Sequence, residues 1–134
     1  MKVLAVLSRF PWPLEKGDKL RAYYQLEGLA KANEVHLVCL SDVEVPANSL
    51  QMLGFCASVT IIPLPKWKSM LNVLGGFFDK VPFQVHYFRS PAMKAAIGRL
   101  ATQHKIDIVF VQLIRLGMNL PEIQGLPMFL DYMD

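Results

Sequence analysis

Three groups of polar residues stand directly behind apolar runs of the chain, the place where open α/β sheets present their chemistry. The first is Ser8 and Arg9, followed by Gly17, Asp18, Lys19 and Arg21. At a helix start, free backbone N–H groups and the positive end of the helix dipole can face an anion, and two cations close behind would add charge. The structural reading of the same residues is that Gly17 permits a turn, Asp18 caps a helix, and Lys19 and Arg21 are solvated. The second group is Gln112 and Arg115, and the third is Asp131, Tyr132 and Asp134. Two carboxylates three apart at a strand end are equally a turn or a helix cap.

Several chemistries are excluded. The first loop lacks GxGxxG, and its prolines with bulky Phe10 and Trp12 would obstruct the close pyrophosphate approach that those glycines permit, which disfavours a nicotinamide dehydrogenase. No Gly-Lys-Ser or Gly-Lys-Thr is present, so there is no P-loop. His36, His86 and His104 are scattered along the chain, none pairs in sequence with a ligating carboxylate, and no metal site is expected. His86 alone has a claim on a substrate. Neither GxSxG nor a Cys–His pairing marks a covalent nucleophile. Cys39 and Cys56 lie in apolar surroundings and read as buried free thiols. A net charge of +3 without a basic run interleaved with aromatics argues against nucleic acid.

The elements that must position these groups follow from the hydrophobic pattern. Lys2 to Leu7 is a nearly continuous apolar run, as in a strand buried on both faces. Ser8 to Gly17 is a loop broken by Pro11, Pro13 and Gly17. From Asp18 a 3.6-residue period places Ala22, Tyr23, Leu26, Leu29 and Ala30 on one face of a helix. Glu34–Leu40 and Ser58–Leu64 predict two more strands, with a short helix from about Asn48 to Phe55 between them. Ser90 caps a helix that begins at Pro91 and turns Met93, Ala96, Ile97 and Leu100 inward. Ile106–Val111 predicts a fourth strand, Leu113–Leu120 a short helix or turn, and Met128–Leu130 a fifth strand. Strands alternating with helices predict an α/β fold, a Rossmann-like doubly wound parallel sheet of about five strands in the order 3-2-1-4-5. Ligands of such a sheet bind at its switch point, here the loops after strands one and four.

One segment has two readings. Trp67, Met70, Leu71, Leu74, Phe77 and Phe78 form an apolar helical stripe, flanked by Lys66, Lys68 and Lys80 and weakened by Gly75-Gly76. As an ordinary crossover helix it packs on the sheet, the reading favoured by the usual fate of such stripes. As an interfacial helix it lies on a membrane, with its lysines at the lipid phosphates.

The chain resembles the amino-terminal domain of family-four glycosyltransferases of the GT-B fold, in particular bacterial sugar transferases of exopolysaccharide and related surface-glycan pathways. The carrying residues are the opening block Met1 to Asp42, then PFQVHYFRS (Pro82 to Ser90), DIVFVQLIR (Asp107 to Arg115) and PMFLDYMD (Pro127 to Asp134). The resemblance implies an acceptor-binding domain spanning residues 1–134, with the nucleotide-sugar donor held by a carboxyl-terminal domain that this chain does not include. It implies that Gly17, Asp18, Lys19 and Arg21 face the donor phosphates or the transferred sugar, and that His86, Gln112 and Arg115 line the acceptor site. Asp131 would orient an acceptor hydroxyl or act as a base. Many relatives have histidines where Gln112 and Asp131 stand. The implied enzyme uses no metal and no cofactor, its acceptor is a glycan or lipid-linked saccharide, and the fragment alone is inactive. The alternative is a non-catalytic, membrane-peripheral α/β binding module.

Composition agrees with a folded domain. Of 134 residues, 53% are hydrophobic and 19% charged, which disfavours disorder, and the length suits one core. No apolar run reaches the ~18 residues of a membrane-spanning helix. The apolar start runs into Ser8, Arg9, Phe10 and Pro11 without a small-residue cleavage site. The expectation is a cytoplasmic protein, with peripheral contact at the inner membrane face under the interfacial reading.

Overall fold

The computed structural model describes residues 1–12, 17–76, 90–112 and 126–131; within these, the side chains of Asp18, Leu130 and Asp131 fall outside the description. The predicted helix or turn at Leu113–Leu120 and the aromatic segment around His86 also lie outside the described residues.

Five strands form one parallel sheet: β1 (Lys2–Leu7), β2 (Glu34–Ser41), β3 (Ser58–Pro63), β4 (Ile108–Gln112) and β5 (Met128–Asp131), in the order β3-β2-β1-β4-β5. This is the Rossmann-like arrangement expected from the sequence. The register runs Val3 beside Val35 and Ile108, and Val6 beside Val38 and Val111. Among the described residues four helices accompany the strands: α1 (Gly17–Ala30), α2 (Ala47–Gln51), α3 (Lys66–Gly75) and α4 (Pro91–Gln103).

The two faces of the sheet carry separate cores because successive strand side chains point to opposite sides. Leu4 and Val6 of β1, with Val38 and Leu40 of β2, pack under Met93, Ile97 and Leu100 of α4. Val3, Ala5 and Leu7, with Val35 and Leu37, pack under Ala22, Tyr23 and Leu26 of α1. β1, β2 and β4, whose Val109 and Val111 join the α4-side core and whose Phe110 joins the α1-side core, are therefore the strands buried on both faces. The outer strands are not: β3 is half-buried along most of its length, and Met128 and Phe129 of β5 are exposed. An edge strand has a neighbour on one side only, so the same apolar residue types are less well covered there.

Local chemistry explains the ends of α4. The Ser90 hydroxyl accepts from the Met93 backbone N–H at 3.1 Å, and Pro91 occupies the first turn, where its missing N–H costs nothing. At the other end Lys105 adopts φ 52°, and the Ile106 N–H reaches back to the Ala101 carbonyl at 3.1 Å, a Schellman closure with lysine where glycine is usual. At the start of α1 the structure corrects the sequence reading. The helix begins at Gly17, so Asp18 stands inside its first turn rather than at its cap.

Candidate functional site

A cleft of about 550 Å³ opens on the carboxyl-terminal edge of the sheet, beyond β1, β2 and β3. The segment after β1 brings Ser8, Arg9, Phe10 and Trp12, α1 brings Lys19, and the loop after β2 brings Ser41 to Pro46. The first turns of α2 and α3 add Ser49, Lys66 and Ser69. Parallel strands end on one rim, so three consecutive strand-to-helix connections converge there without any long-range motif in the sequence.

Each wall has a local cause. Ser41 shapes the second loop: its hydroxyl donates to the Val43 carbonyl at 2.6 Å and accepts from the Val43 N–H at 3.4 Å. The Ser41 carbonyl accepts from the Leu64 N–H at 2.8 Å, which ties the exits of β2 and β3 together. Phe10 is buried in the α1-side core and carries the first loop across the strand ends. Trp12 rests against Tyr23 with ring centroids 5.4 Å apart, and the Tyr23 hydroxyl donates to the Met52 carbonyl at 3.1 Å. Burial raises the Tyr23 phenol above its ordinary value, so it remains a neutral donor.

Among the described residues the lining holds three cations, Arg9, Lys19 and Lys66, against two carboxylates, Asp42 and Glu44. Lys66 Nζ lies 3.9 Å from Asp42 Oδ2, with both side chains largely in water, so the pair is weak and the ammonium is available to a ligand. Four serines and an indole complete the set. Hydroxyls and carboxylates exchange hydrogen bonds with a polyol, an aromatic edge covers its apolar face, and a surplus cation meets a phosphate.

The residues singled out from sequence divide sharply. Ser8, Arg9 and Lys19 line the cleft. Gly17 starts α1 exposed, and an added Cβ there meets nothing within 4 Å among the described residues. Arg21 is exposed on α1 and is not among the residues lining the cleft. Gln112 is buried at the end of β4, and its Nε2 donates to Gln25 Oε1 at 2.9 Å, fastening β4 to α1. Asp131 is the register partner of Gln112 on β5, so the topology brings these two positions together as anticipated. His86 and Arg115 lie outside the described residues.

The sequence reading placed the site at the ends of strands one, four and five and so missed the loop after β2 and the start of α3. Strand order alone was signal enough, because β2 and β3 must end on the same rim as β1.

Two of the histidines, scattered in sequence, meet in space. His36 Nε2 sits 3.2 Å from Glu34 Oε2, His36 Nδ1 sits 2.7 Å from Ser58 Oγ, and the ring stacks on His104 at 3.9 Å between centroids. Alternate residues of a strand share a face, which is how Glu34 reaches His36. The His36 hydrogen bond holds the Glu34 carboxyl below its usual range. The group lies at the amino-terminal edge of the sheet, opposite the cleft, and among the described residues no set of three His, Cys, Asp or Glu side chains could hold a metal ion. Cys39 is buried, as expected, and its thiol is pushed up to about 12; Cys56 is only partly buried, its thiol raised to about 11. Neither is an activated nucleophile.

Comparison with known proteins bears on the fold. No protein-family model and no curated protein sequence matches the chain. Two crystal structures of the C-terminal domain of the PF1911 hydrogenase from Pyrococcus furiosus are similar to it. One superposes with a TM-score of 0.61 at 13% identity, over 97% of this chain and 89% of that one. The other gives 0.59 at 14% identity, over 96% and 89%. At such identity the shared property is the α/β architecture.

Proposed function

We propose that this chain is the acceptor-binding domain of a glycosyltransferase, one that moves a sugar from a nucleotide-sugar donor to a glycan or lipid-linked saccharide. The observation that carries the reading is the cleft, whose cations, carboxylates, hydroxyls and indole match the parts of a phosphorylated saccharide. In this reading Lys19 and the amino end of α1, with Gly17 and Asp18, meet the phosphates of the donor or of the acceptor as charge develops on the leaving group. Arg21 adds charge from the flank. Asp131, beside Gln112 on the same rim, orients the acceptor hydroxyl or takes its proton, while Gln112 positions α1 through Gln25. His86 and Arg115 complete the acceptor side. The donor nucleotide is held by a second domain, and neither metal nor cofactor takes part.

Titration of the chain with sugar phosphates and neutral oligosaccharides, followed by amide chemical shifts, tests this. Shifts are expected at Ser8–Trp12 and Ser41–Pro46, and Lys19→Ala is expected to weaken sugar-phosphate binding about tenfold, the loss of one charged hydrogen bond. Shifts elsewhere, or none with any saccharide, would overturn the reading. A nucleotide domain of another enzyme would instead bind free nucleotide tightly by itself.

A further inference from the structure

The apolar stripe of α3 does not pack on the sheet. Trp67, Met70, Leu71 and Leu74 are 62%, 53%, 58% and 67% exposed, whereas the one buried residue of the helix is Ser69. The crossover-helix reading is thereby corrected for these four positions. Phe77 and Phe78, the rest of the stripe, lie outside the described residues. At 100° per residue, positions 67, 70, 71 and 74 share one face, with Lys66 and Lys68 on its two borders and Ser69, Asn72 and Val73 turned towards the protein. An amphipathic helix mounted with its polar side inward gives up the burial that ordinarily holds such a helix in place.

We propose that this face of α3 is a docking surface for an anionic lipid bilayer. Charge points to that occupant. The helix KWKSMLNVLG contains no acidic residue, and both lysines sit where they can reach lipid phosphates while the apolar side chains enter between the acyl chains. Lys68 Nζ lies 5.6 Å from the Trp67 ring centroid, so a cation and the amphipathic indole are already adjacent, as at a membrane interface. Lys66 is 74% exposed beside Asp42, and in water that pair yields readily to a denser anion. A second copy fits poorly, because a two-fold contact would set lysine borders against each other and four side chains fall short of the about 20–30 residues per side that a stable interface engages.

The helix serves two surfaces at once. Lys66 and Ser69 line the cleft while Trp67, Met70, Leu71 and Leu74 face away from it, so docking holds the cleft within about one helix diameter, ~10–12 Å, of the headgroups. The docking proposal stands whether or not the cleft binds a saccharide.

Cosedimentation of the chain with vesicles tests it. Vesicles of phosphatidylglycerol mixed with phosphatidylcholine are expected to pellet the protein, and pure phosphatidylcholine to do so at least about tenfold less well. Replacing Trp67, Leu71 and Leu74 by serine is expected to abolish pelleting, and Lys66→Gln with Lys68→Gln to weaken it about tenfold and remove its salt dependence. These positions are exposed, so circular dichroism of every variant is expected to match the parent. Equal pelleting by both vesicle types, pelleting that survives the serine variant, or concentration-dependent dimerisation lost in that variant without vesicle binding would each overturn the proposal. The readout contains no sugar, so its failure is separate from failure of the glycosyl-transfer reading.

Discussion

Helices α3 and α4 carry apolar stripes of the same period and use them in opposite ways. In α4 the stripe Met93, Ala96, Ile97 and Leu100 is buried against β1 and β2, and a serine cap and a Schellman closure fix both ends. In α3 the stripe faces out, and Pro65 precedes the helix without a side-chain capping bond. Apolar period therefore shows that a helix has two faces. It does not show which face the protein keeps.

The sharpest way to break this contrast is to truncate both stripes. Ile97→Ala is expected to lower unfolding stability by about 2–5 kcal/mol in urea denaturation, since its side chain is fully buried. Leu71→Ala is expected to change it by less than about 0.5 kcal/mol. A comparable cost at both sites would mean that the α3 face is covered after all. Next in size, Ser90→Ala is expected to cost about 1–2 kcal/mol, because it strips a buried capping bond from the first turn of α4. Lys105→Gly is expected to add about 0.5–1 kcal/mol by relieving a left-handed lysine, a gain with no counterpart in α3.

The smallest expected effect concerns the two edges of the sheet. The Glu34 carboxyl is held below its ordinary value in the folded state by its bond to His36. A depressed carboxyl contributes stability that is present above its unfolded value and disappears as pH falls through the folded one. The melting temperature of the parent is therefore expected to fall more steeply than that of Glu34→Gln below about pH 4.5. Parallel curves would detach this histidine cluster from stability.

Much of the scaffold was legible from residue pattern. The strand at Lys2–Leu7, the cap at Ser90 with Pro91 behind it, and the order 3-2-1-4-5 all follow from local periodicity, cap chemistry and the handedness of crossovers. The candidate site was legible only in part. Lys19 lines the cleft because the first connection of a doubly wound sheet reaches the rim. Ser41, Asp42, Lys66 and Ser69 were missed because each is an ordinary surface residue type until three chain segments meet. Arg21 shows the converse: two residues from Lys19 on a helix, it points about 200° away from it.

What the sequence determined by itself was the set of elements and the parallel sheet, since backbone preference and hydrophobic period are properties of contiguous residues. Tertiary structure alone decided three things: which strand ends share a cleft, that His36 finds Glu34, Ser58 and His104, and that α3 turns its apolar side to solvent. The physical reason is common to all three. Each depends on what lies opposite a side chain in space, and a residue's own type carries no record of its distant neighbours.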